Sequence, residues 1–379
     1  MKKKYNFPVI YIETTRRCNL KCPACMSGSN KKAFVESLRN NELSYDEIVN
    51  LILKPSLSLG TKHIYLSGGE FLLREDALDI LKAVIDIGYY PKIATNGTLI
   101  NEELLSKIKK IAGRKIVLAF GIDSICDLKI NKKTRSMEVN KILNNLELCK
   151  KYRIAKHVVI NAASYSCKTF EATLAWLEKN KIPFNRVPFV PRNSGSRFSR
   201  WCISKKEMEK YIFPALNKRI NGYFSFIPFF LSPELHSKYS KGKFNVTVPQ
   251  NPSIGCWVGS WVAISAEGDV SPCTILLDKV VAGNVRNQTI YDIIDKSEIF
   301  QTILDRNKLK GKCGKCRYQF TCGGCRGLAY YKTGDYMEED PTCFFEPIDK
   351  NTKSQFEDET NNMFKKYIKL ARFAGMYKD

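Results

Sequence analysis

The residues with the strongest chemical character in this chain are cysteines. Cys18, Cys22 and Cys25 stand in the stretch Glu13-Thr-Thr-Arg-Arg-Cys-Asn-Leu-Lys-Cys-Pro-Ala-Cys, directly after the apolar run Val9-Ile-Tyr-Ile. Thiolates are soft ligands that favour iron–sulfur clusters, zinc and copper(I). Three of them on one tight loop can hold three corners of a cubane cluster and leave the fourth iron open. An open position suits a catalytic site, because a small molecule can coordinate there, as at catalytic zinc. The competing reading is a structural zinc knuckle with its fourth ligand elsewhere. Zinc sites usually pair two Cys-x2-Cys hooks, however, and this segment supplies a single x3/x2 triplet.

A second group lies towards the other end. Cys256 is followed by Gly268 and Cys273, with Gly268-Asp-Val-Ser-Pro-Cys273 reading as a hairpin-like turn. Next come Cys313-x2-Cys316-x5-Cys322-x2-Cys325, and then Cys343 within Glu338-Glu-Asp-Pro-Thr-Cys. Zinc competes here too, since two Cys-x2-Cys hooks fit one site, but it leaves Cys256, Cys273 and Cys343 unused. Cys126, Cys149, Cys167 and Cys202 fall outside both groups. Buried thiols are the expectation for the first three of these.

Positioning the thiols requires a scaffold, and the first half supplies a regular one. Strand-like runs are expected near Val9–Glu13, His63–Leu66, Tyr90–Ala94, Lys115–Phe120, His157–Ala162 and Phe184–Val190. Between them, helix-period segments lie near Ser44–Leu57, Asp76–Ile87, Asn101–Ile111, Asn140–Lys151 and Thr169–Lys179. This alternation is that of βα units around a parallel sheet. Ser44 with Glu47 forms a capping box, and Asn101 opens its helix with Glu102 and Glu103 in the first turn. Five or six such units fall short of a closed eight-stranded barrel.

Polar motifs sit where the expected strands end. Leu66-Ser-Gly-Gly-Glu70 offers two glycines that permit close backbone approach and a carboxylate that can bind an ammonium. Thr95-Asn96-Gly97 reads on its own as a turn before a helix. Gly121-Ile-Asp123-Ser124 follows the fourth strand, and Arg135 lies about a dozen residues later, where an exposed arginine is one reading. Around the last strand, Arg186, Arg192, Arg197 and Arg200 cluster among Pro, Gly and Ser. They form either a carboxylate clamp at the mouth of a cavity or an exposed basic linker. A helix near Ser204–Asn221 and a Phe- and Pro-rich stretch, Tyr223–Gln250, follow as a bridge. Asp349–Asp379 reads as an amphipathic charged helix.

Composition narrows the setting. The chain has 379 residues, 44% hydrophobic and 26% charged, enough for a real core and more than one domain. No apolar run approaches a membrane span, and the Lys-Lys-Lys start runs straight into the first strand without a signal peptide. A cytoplasmic, reducing, low-oxygen location is expected, where cysteines bind metal rather than pair. The net charge of +23 is spread over lysine pairs such as Lys31-Lys32, Lys109-Lys110 and Lys365-Lys366. Such scatter favours solvated faces over an acidic substrate, and places nucleic acid last.

Taken together, Cys18-x3-Cys22-x2-Cys25 after a first strand and Gly68-Gly69-Glu70 after a second resemble the radical S-adenosylmethionine (radical SAM) superfamily. The resemblance covers about Pro8 to Glu346. It implies an α/β chain: an open partial (β/α)6 barrel over 1–200, a bridge over 201–250, a small cysteine-rich SPASM domain over 251–348 and a C-terminal helix over 349–379. Cys18, Cys22 and Cys25 would hold a [4Fe–4S] cluster that binds S-adenosylmethionine, with Gly68, Gly69 and Glu70 on its amino group. Asn96 would lie near the ribose and Arg135 would pair with the cofactor carboxylate. Ser124 would compensate for Gly121, which stands where relatives carry serine. Ala24 also departs from the family, which has an aromatic residue there beside the adenine.

The second group resembles the SPASM extension of radical SAM maturases, which houses two auxiliary clusters. Carried over, Cys313, Cys316, Cys322 and Cys343 complete one. Cys256, Cys273 and Cys325 hold the other, with either an open iron or Cys202 as fourth ligand. The run Cys322-Gly-Gly-Cys-Arg-Gly-Leu-Ala329 is similar to the subgroup of pyrroloquinoline-quinone, mycofactocin and haem-biosynthesis maturases. Thr274 stands where sulfatase maturases place a catalytic aspartate, which argues against formylglycine formation.

The implied activity is an oxidoreductase reaction: reductive cleavage of S-adenosylmethionine, then hydrogen abstraction by a 5′-deoxyadenosyl radical. Auxiliary clusters accept the substrate electron or bind the substrate, so a decarboxylation, crosslink or thioether is expected. A peptide is the expected substrate. With eight residues ahead of the first strand, recognition of it would fall to a separate leader-peptide-binding partner. A carboxylate-rich tetrapyrrole, suited to the Arg186–Arg200 cluster, is the alternative. A flavodoxin- or ferredoxin-type protein would donate the electron. A nucleic-acid modifier rests on charge alone and lacks an aromatic-basic motif. A plain iron–sulfur electron carrier would need no Gly-Gly-Glu.

Overall fold

The computed structural model describes residues 5, 7–217, 256, 258–259, 261–316, 323–344 and 346. Most of the expected bridge, Cys322 and the expected C-terminal helix lie outside the described residues. Six parallel strands form consecutively: β1 (Val9–Glu13), β2 (His63–Ser67), β3 (Tyr90–Thr95), β4 (Val117–Gly121), β5 (Ala155–Ala162) and β6 (Phe184–Pro188). On the free side of β1 the sheet continues through β7 (Trp261–Ile264), which is parallel to β1. Two antiparallel strands, β8 (Asp269–Ser271) and β9 (Gly283–Asn284), complete it. The order β6-β5-β4-β3-β2-β1-β7-β8-β9 is open at both ends, so among the described residues the sheet does not close into a barrel. The division expected at residue 250 is therefore not a break in the sheet, because the second cysteine region contributes three of its nine strands.

Alternation along each strand separates two apolar layers. Ile10, Ile12, Leu66, Leu118, Phe120 and Ile160 pack outwards with helix residues such as Leu81, Leu105, Leu146 and Phe170. Val9, Tyr11, Tyr65, Ala119, Trp261 and Ala263 form a separate inner cluster. The helices follow their local signals. Ala77–Ile87 ends on Gly88 at φ 103°, where Gly88 N–H and Tyr89 N–H close back onto Ile85 and Val84 in a Schellman-type turn. Asn101 caps Glu102–Ala112 by accepting from Leu104 N–H at 2.8 Å. The helix expected over Ser44–Leu57 runs over 45–59 but contains a π stretch, Ile48–Leu53, shortly before Pro55. A second π stretch, Met208–Ile212, precedes Pro214 in the same way. Proline lacks the N–H of the regular ladder and crowds the carbonyl four residues back, so a locally wider turn relieves the clash.

In the first half of the chain, two helices have no counterpart in the sequence reading, Lys32–Leu38 and Leu128–Arg135. The second presents only a polar, lysine-rich sequence and starts on Asp127, whose carboxylate accepts from Lys129 N–H. It matters because its last residue is Arg135.

Candidate active site

The loop of Cys18, Cys22 and Cys25 leaves the C-terminal end of β1, and the exit of β2 is laid directly on it. Gly69 N–H donates to Thr15 O at 2.7 Å and Glu70 N–H to Arg17 O at 2.7 Å. A Cβ on Gly69 would fall 2.1 Å from Arg17 O, and one on Gly68, at φ +124°, 2.3 Å from Thr15 O. The glycine pair therefore serves first to let two backbones touch, which fixes the cysteine loop against the sheet. Leu20 N–H approaches Cys18 Sγ at 3.4 Å and Asn96 Nδ2 approaches it at 3.7 Å. Burial, helped by the neighbouring Cys25, pushes the Cys22 thiol up to about 12, and burial likewise pushes Cys18 up to about 11. The positive charge of a metal centre would favour the ionised form of these two thiols.

Glu70 is fully buried, and its carboxylate turns away from the cavity towards β3. It accepts from Thr95 Oγ1 at 2.9 Å and Asn96 N–H at 2.7 Å. Burial pushes its carboxyl up to about 7 against those hydrogen bonds. The glycine backbone and Asn96 line the cavity; the Glu70 side chain holds the Thr95-Asn96-Gly97 turn in place.

Beyond β4, the guanidinium of Arg135 lies across Gly121, where a Cβ would meet Arg135 Nη1 at 2.1 Å. The departure from serine at Gly121 thus makes room for the arginine. Asp123 secures it at 2.7 Å, and Thr134 Oγ1 donates to the other carboxylate oxygen at 2.6 Å. Tyr165 OH is 3.3 Å from the same carboxylate. Gly121, Asp123, Arg135 and Tyr165 all line the cavity, so the solvated reading of Arg135 fails. The compensating role for Ser124 also fails, since Ser124 is fully buried, lies off the cavity and uses its hydroxyl to accept from Asp127 N–H.

The cavity has a volume of 330 Å³ and joins the two cysteine groups. Cys18, Cys22 and Cys25 line it together with Cys256, Cys273 and Cys325. Tyr11, Tyr65 and Trp261 give it an aromatic wall with ring centroids 5.5 to 6.4 Å apart. Ala24, where an aromatic residue was missing, packs against the buried cluster of Ala163, Phe189 and Trp201, as do Tyr165 and Phe198. Cys202 belongs to that same cluster and does not line the cavity. Cys126 is exposed, contrary to expectation, whereas Cys149 and Cys167 are buried. Cys313 Sγ receives Asp340 N–H at 3.4 Å and lies near Cys316, both outside the cavity lining. Among the described residues, no three His, Cys, Asp or Glu side chains are gathered as a site for a metal ion.

What sequence reasoning missed is a buried ion network at the seam between the cysteine regions. Arg192 is fully buried, with Nη1 at 3.0 Å from Glu13 Oε1 and Nη2 at 2.6 Å from Asp278 Oδ2. Arg16 adds contacts to Glu13 at 2.9 Å, Glu267 at 2.9 Å and Asp278 at 2.7 Å. Burial alone would raise the Asp278 carboxyl, yet the hydrogen bonds and charges of Arg16 and Arg192 hold it below the usual range. These residues flank the first cysteine loop, the β6 exit and the segment after Cys273, so they lock the three together. The expected carboxylate clamp is accordingly corrected. Arg192 is committed to this network, Arg186 is buried close to Cys325 and Asp340, and Arg197 and Arg200 are exposed. Only the pairing of distant positions in space could have revealed it.

Comparison with known proteins accords with this arrangement. Residues 12–164 match the family model of the Radical SAM superfamily, and residues 256–317 match SPASM, an iron–sulfur cluster-binding domain. The AdoMet-dependent heme synthase of Methanosarcina barkeri is 29% identical over 352 residues, covering 89% of this chain and 97% of the relative. The PqqA peptide cyclase of Bradyrhizobium diazoefficiens is 23% identical over 390 residues, covering 97% and 93%. Among solved structures, Streptococcus suis SuiB bound to S-adenosylmethionine superposes with a TM-score of 0.63 at 16% identity, covering 91% of this chain and 79% of that one. Among the described residues, no helix is long and apolar enough to cross a membrane. The chain is an enzyme that carries a Radical SAM domain over residues 12–164 and a SPASM iron–sulfur cluster-binding domain over residues 256–317.

Proposed function

We propose that this enzyme binds S-adenosylmethionine beside a [4Fe–4S] cluster on Cys18, Cys22 and Cys25, and oxidatively modifies a substrate held in the same cavity. The observation that carries this reading is the single cavity lined by both that triplet and Cys256, Cys273 and Cys325. When bound, the cofactor and reduced cluster supply a radical able to abstract hydrogen from an unactivated carbon. The chain's own residues supply position and dryness. The Gly68–Gly69 backbone and Asn96 meet the cofactor's polar end, and Arg135, braced by Asp123, offers its guanidinium to the cofactor carboxylate. Phe189 and Trp201 furnish the flat apolar surface that Ala24 cannot. Tyr11, Tyr65, Val159 and Trp261 keep water from the reacting carbon.

Two auxiliary clusters complete the proposal. Cys313, Cys316, Cys322 and Cys343 would hold one; of these, Cys313, Cys316 and Cys343 are described and lie outside the cavity lining. Cys256, Cys273 and Cys325 would hold the other; these three line the cavity and Cys202 does not. A flavodoxin- or ferredoxin-type donor in the cytoplasm supplies the reducing electron.

For substrate we propose a peptide, supported by the PqqA peptide cyclases that align along nearly the whole chain. A second reading, a tetrapyrrole, is favoured by the aromatic wall of Tyr11, Tyr65 and Trp261 and by the heme synthases among the relatives. Anaerobically reconstituted enzyme with a low-potential reductant should release 5′-deoxyadenosine. Adding a precursor peptide encoded beside the gene should yield a product that has lost hydrogens. Decarboxylation of a propionate-bearing tetrapyrrole, with the peptide untouched, would transfer the assignment to the second reading, and no 5′-deoxyadenosine under any condition would end both.

A further inference from the structure

Three basic side chains share the inner face of the sheet towards the amino-terminal ends of its strands. His63 opens β2, Lys92 lies on β3 in register with Tyr65, and His157 lies on β5 in register with Ala119. Two residues further along the same strands, Tyr65, Ala94 and Val159 line the cavity, so the three bases form the layer directly beneath it. None of them lines the cavity itself. Lys92 Nζ sits over the Tyr65 ring, 4.9 Å from its centroid, which only partly replaces an anion. His63 packs on Tyr90 with ring centroids 5.6 Å apart, and Tyr90, 48% exposed, marks the edge from which the layer is reached. His157 is 8% exposed, and its Nδ1 finds no hydrogen-bond partner among the described residues.

The charges here are one-sided. Burial, then Lys92 and Lys62, push His63 down to about 4, and burial with Lys92 pushes His157 well below its ordinary value. Burial brings Lys92 down to about 7. Among the described residues, no carboxylate pairs with any of the three. Glu13, the carboxylate on this face of β1, lies at the far end of that strand and binds Arg16 and Arg192. The charged residue of β6 is Arg186, another cation, and β7 carries no charge. On β4, between Lys92 and His157, stand only Val117 and Ala119. Bases gathered without an acid disfavour one another's protonation, and a bound anion reverses that.

We infer that His63, Lys92 and His157 form a binding site for a small, doubly charged oxyanion of the sulfate and phosphate class, beneath the cavity floor and separate from it. The inference does not rest on the cluster assignment. Lys92 supplies a compact charge, and each imidazole donates from both nitrogens once protonated. Donors on three strands suit an ion whose oxygens point in several directions, and the burial of His157 selects a small one. Binding takes up protons from solvent onto the imidazoles, and no other bond is made or broken.

The chain has three histidines, His63, His157 and His236. The test is therefore a sulfate titration of the full-length protein, labelled with carbon-13 at histidine Cε1 and read by NMR. Sulfate keeps its charge across the working range, so any pH dependence belongs to the protein. The His63 and His157 signals, assigned with His63→Gln and His157→Gln, should shift together on one saturation curve, which chloride at matched ionic strength does not reproduce. Affinity should fall at least about tenfold from pH 6 to pH 8, the change for uptake of about half a proton. Lys92→Met should weaken binding at least about tenfold, and Lys92→Arg by less. Wild-type signals that stay in place up to about 50 mM sulfate, or that follow chloride equally, overturn the inference without any variant having to fold. So does glycerol 3-phosphate binding more tightly than sulfate, because the ligand would then be a larger phosphate ester and not a small ion.

Discussion

The two cysteine regions reach one cavity by opposite means. The first is a short loop whose shape is enforced by backbone contacts: Thr14 N–H on Ser67 O at 2.9 Å, Gly69 N–H on Thr15 O and Glu70 N–H on Arg17 O at 2.7 Å. Its sulfurs are half-buried. The second gathers Cys256, Cys273 and Cys325 from distant positions, buries all three and depends on side-chain charges to set it against the sheet. A triplet of short spacing carries much of its own geometry, whereas a dispersed set must borrow geometry from the fold. The network of Glu13, Arg16, Arg192, Glu267 and Asp278 is where that borrowing occurs.

The largest expected effect separates the regions by activity. Cys22→Ala should reduce 5′-deoxyadenosine release more than about 100-fold, exceeding what outer-shell changes cost a metal site. Cys313→Ala should leave that release within a few-fold of wild type while abolishing modified product, both read by chromatography and mass spectrometry. Equal loss in both variants would erase the distinction. Next comes the seam. Arg192→Met leaves Glu13 buried without a full partner set and should cost about 3–5 kcal/mol in thermal unfolding of the apoprotein. A loss below about 1 kcal/mol would mean the regions do not rely on it.

Gly69→Ala forces the Arg17 carbonyl aside. It should cost about 1–3 kcal/mol and deplete the first cluster's iron while the auxiliary signals persist. Uniform iron loss would contradict the independence of the loop. Acid sensitivity belongs to the seam as well. Asp278 stays ionised in the folded state at a pH where the unfolded carboxyl, near its usual 3.8, takes up a proton. Its stabilisation is present above that value and is lost as pH falls beneath it. Asp278→Asn should flatten the acid limb of the apoprotein's stability profile, and an unchanged limb would count against the network. Least, Asn101→Ala, a cap remote from both regions, should cost about 1 kcal/mol and leave every cluster signal intact.

How much could be read in advance divides along the same line. Cys18-x3-Cys22-x2-Cys25, the strand before it and the Ser44–Glu47 and Asn101 caps are local patterns, and the strands and helices of the first half fall within a few residues of expectation. The helix Leu128–Arg135 escaped because its buried residues are Asn131 and Thr134, so it shows no apolar stripe. The pairing of β7 with β1 escaped because parallel pairing between distant segments leaves no mark on either. Arg192 reads in the sequence as one of four arginines that form either a carboxylate clamp or an exposed linker. Its burial depends on Glu13 and Asp278, residues far away in the sequence, and nothing in its neighbours distinguishes it from Arg197 or Arg200.

The most direct test of the shared-cavity account is the response of the reduced clusters to S-adenosylmethionine in two reconstituted proteins, wild type and a Cys18→Ala, Cys22→Ala, Cys25→Ala triple variant. In wild type, one paramagnetic signal should change on adding the cofactor. In the triple variant that signal should be gone, with the auxiliary signals present and unresponsive. A response that survives in the triple variant, or a first loop that takes up zinc in place of iron and sulfide, would contradict the account.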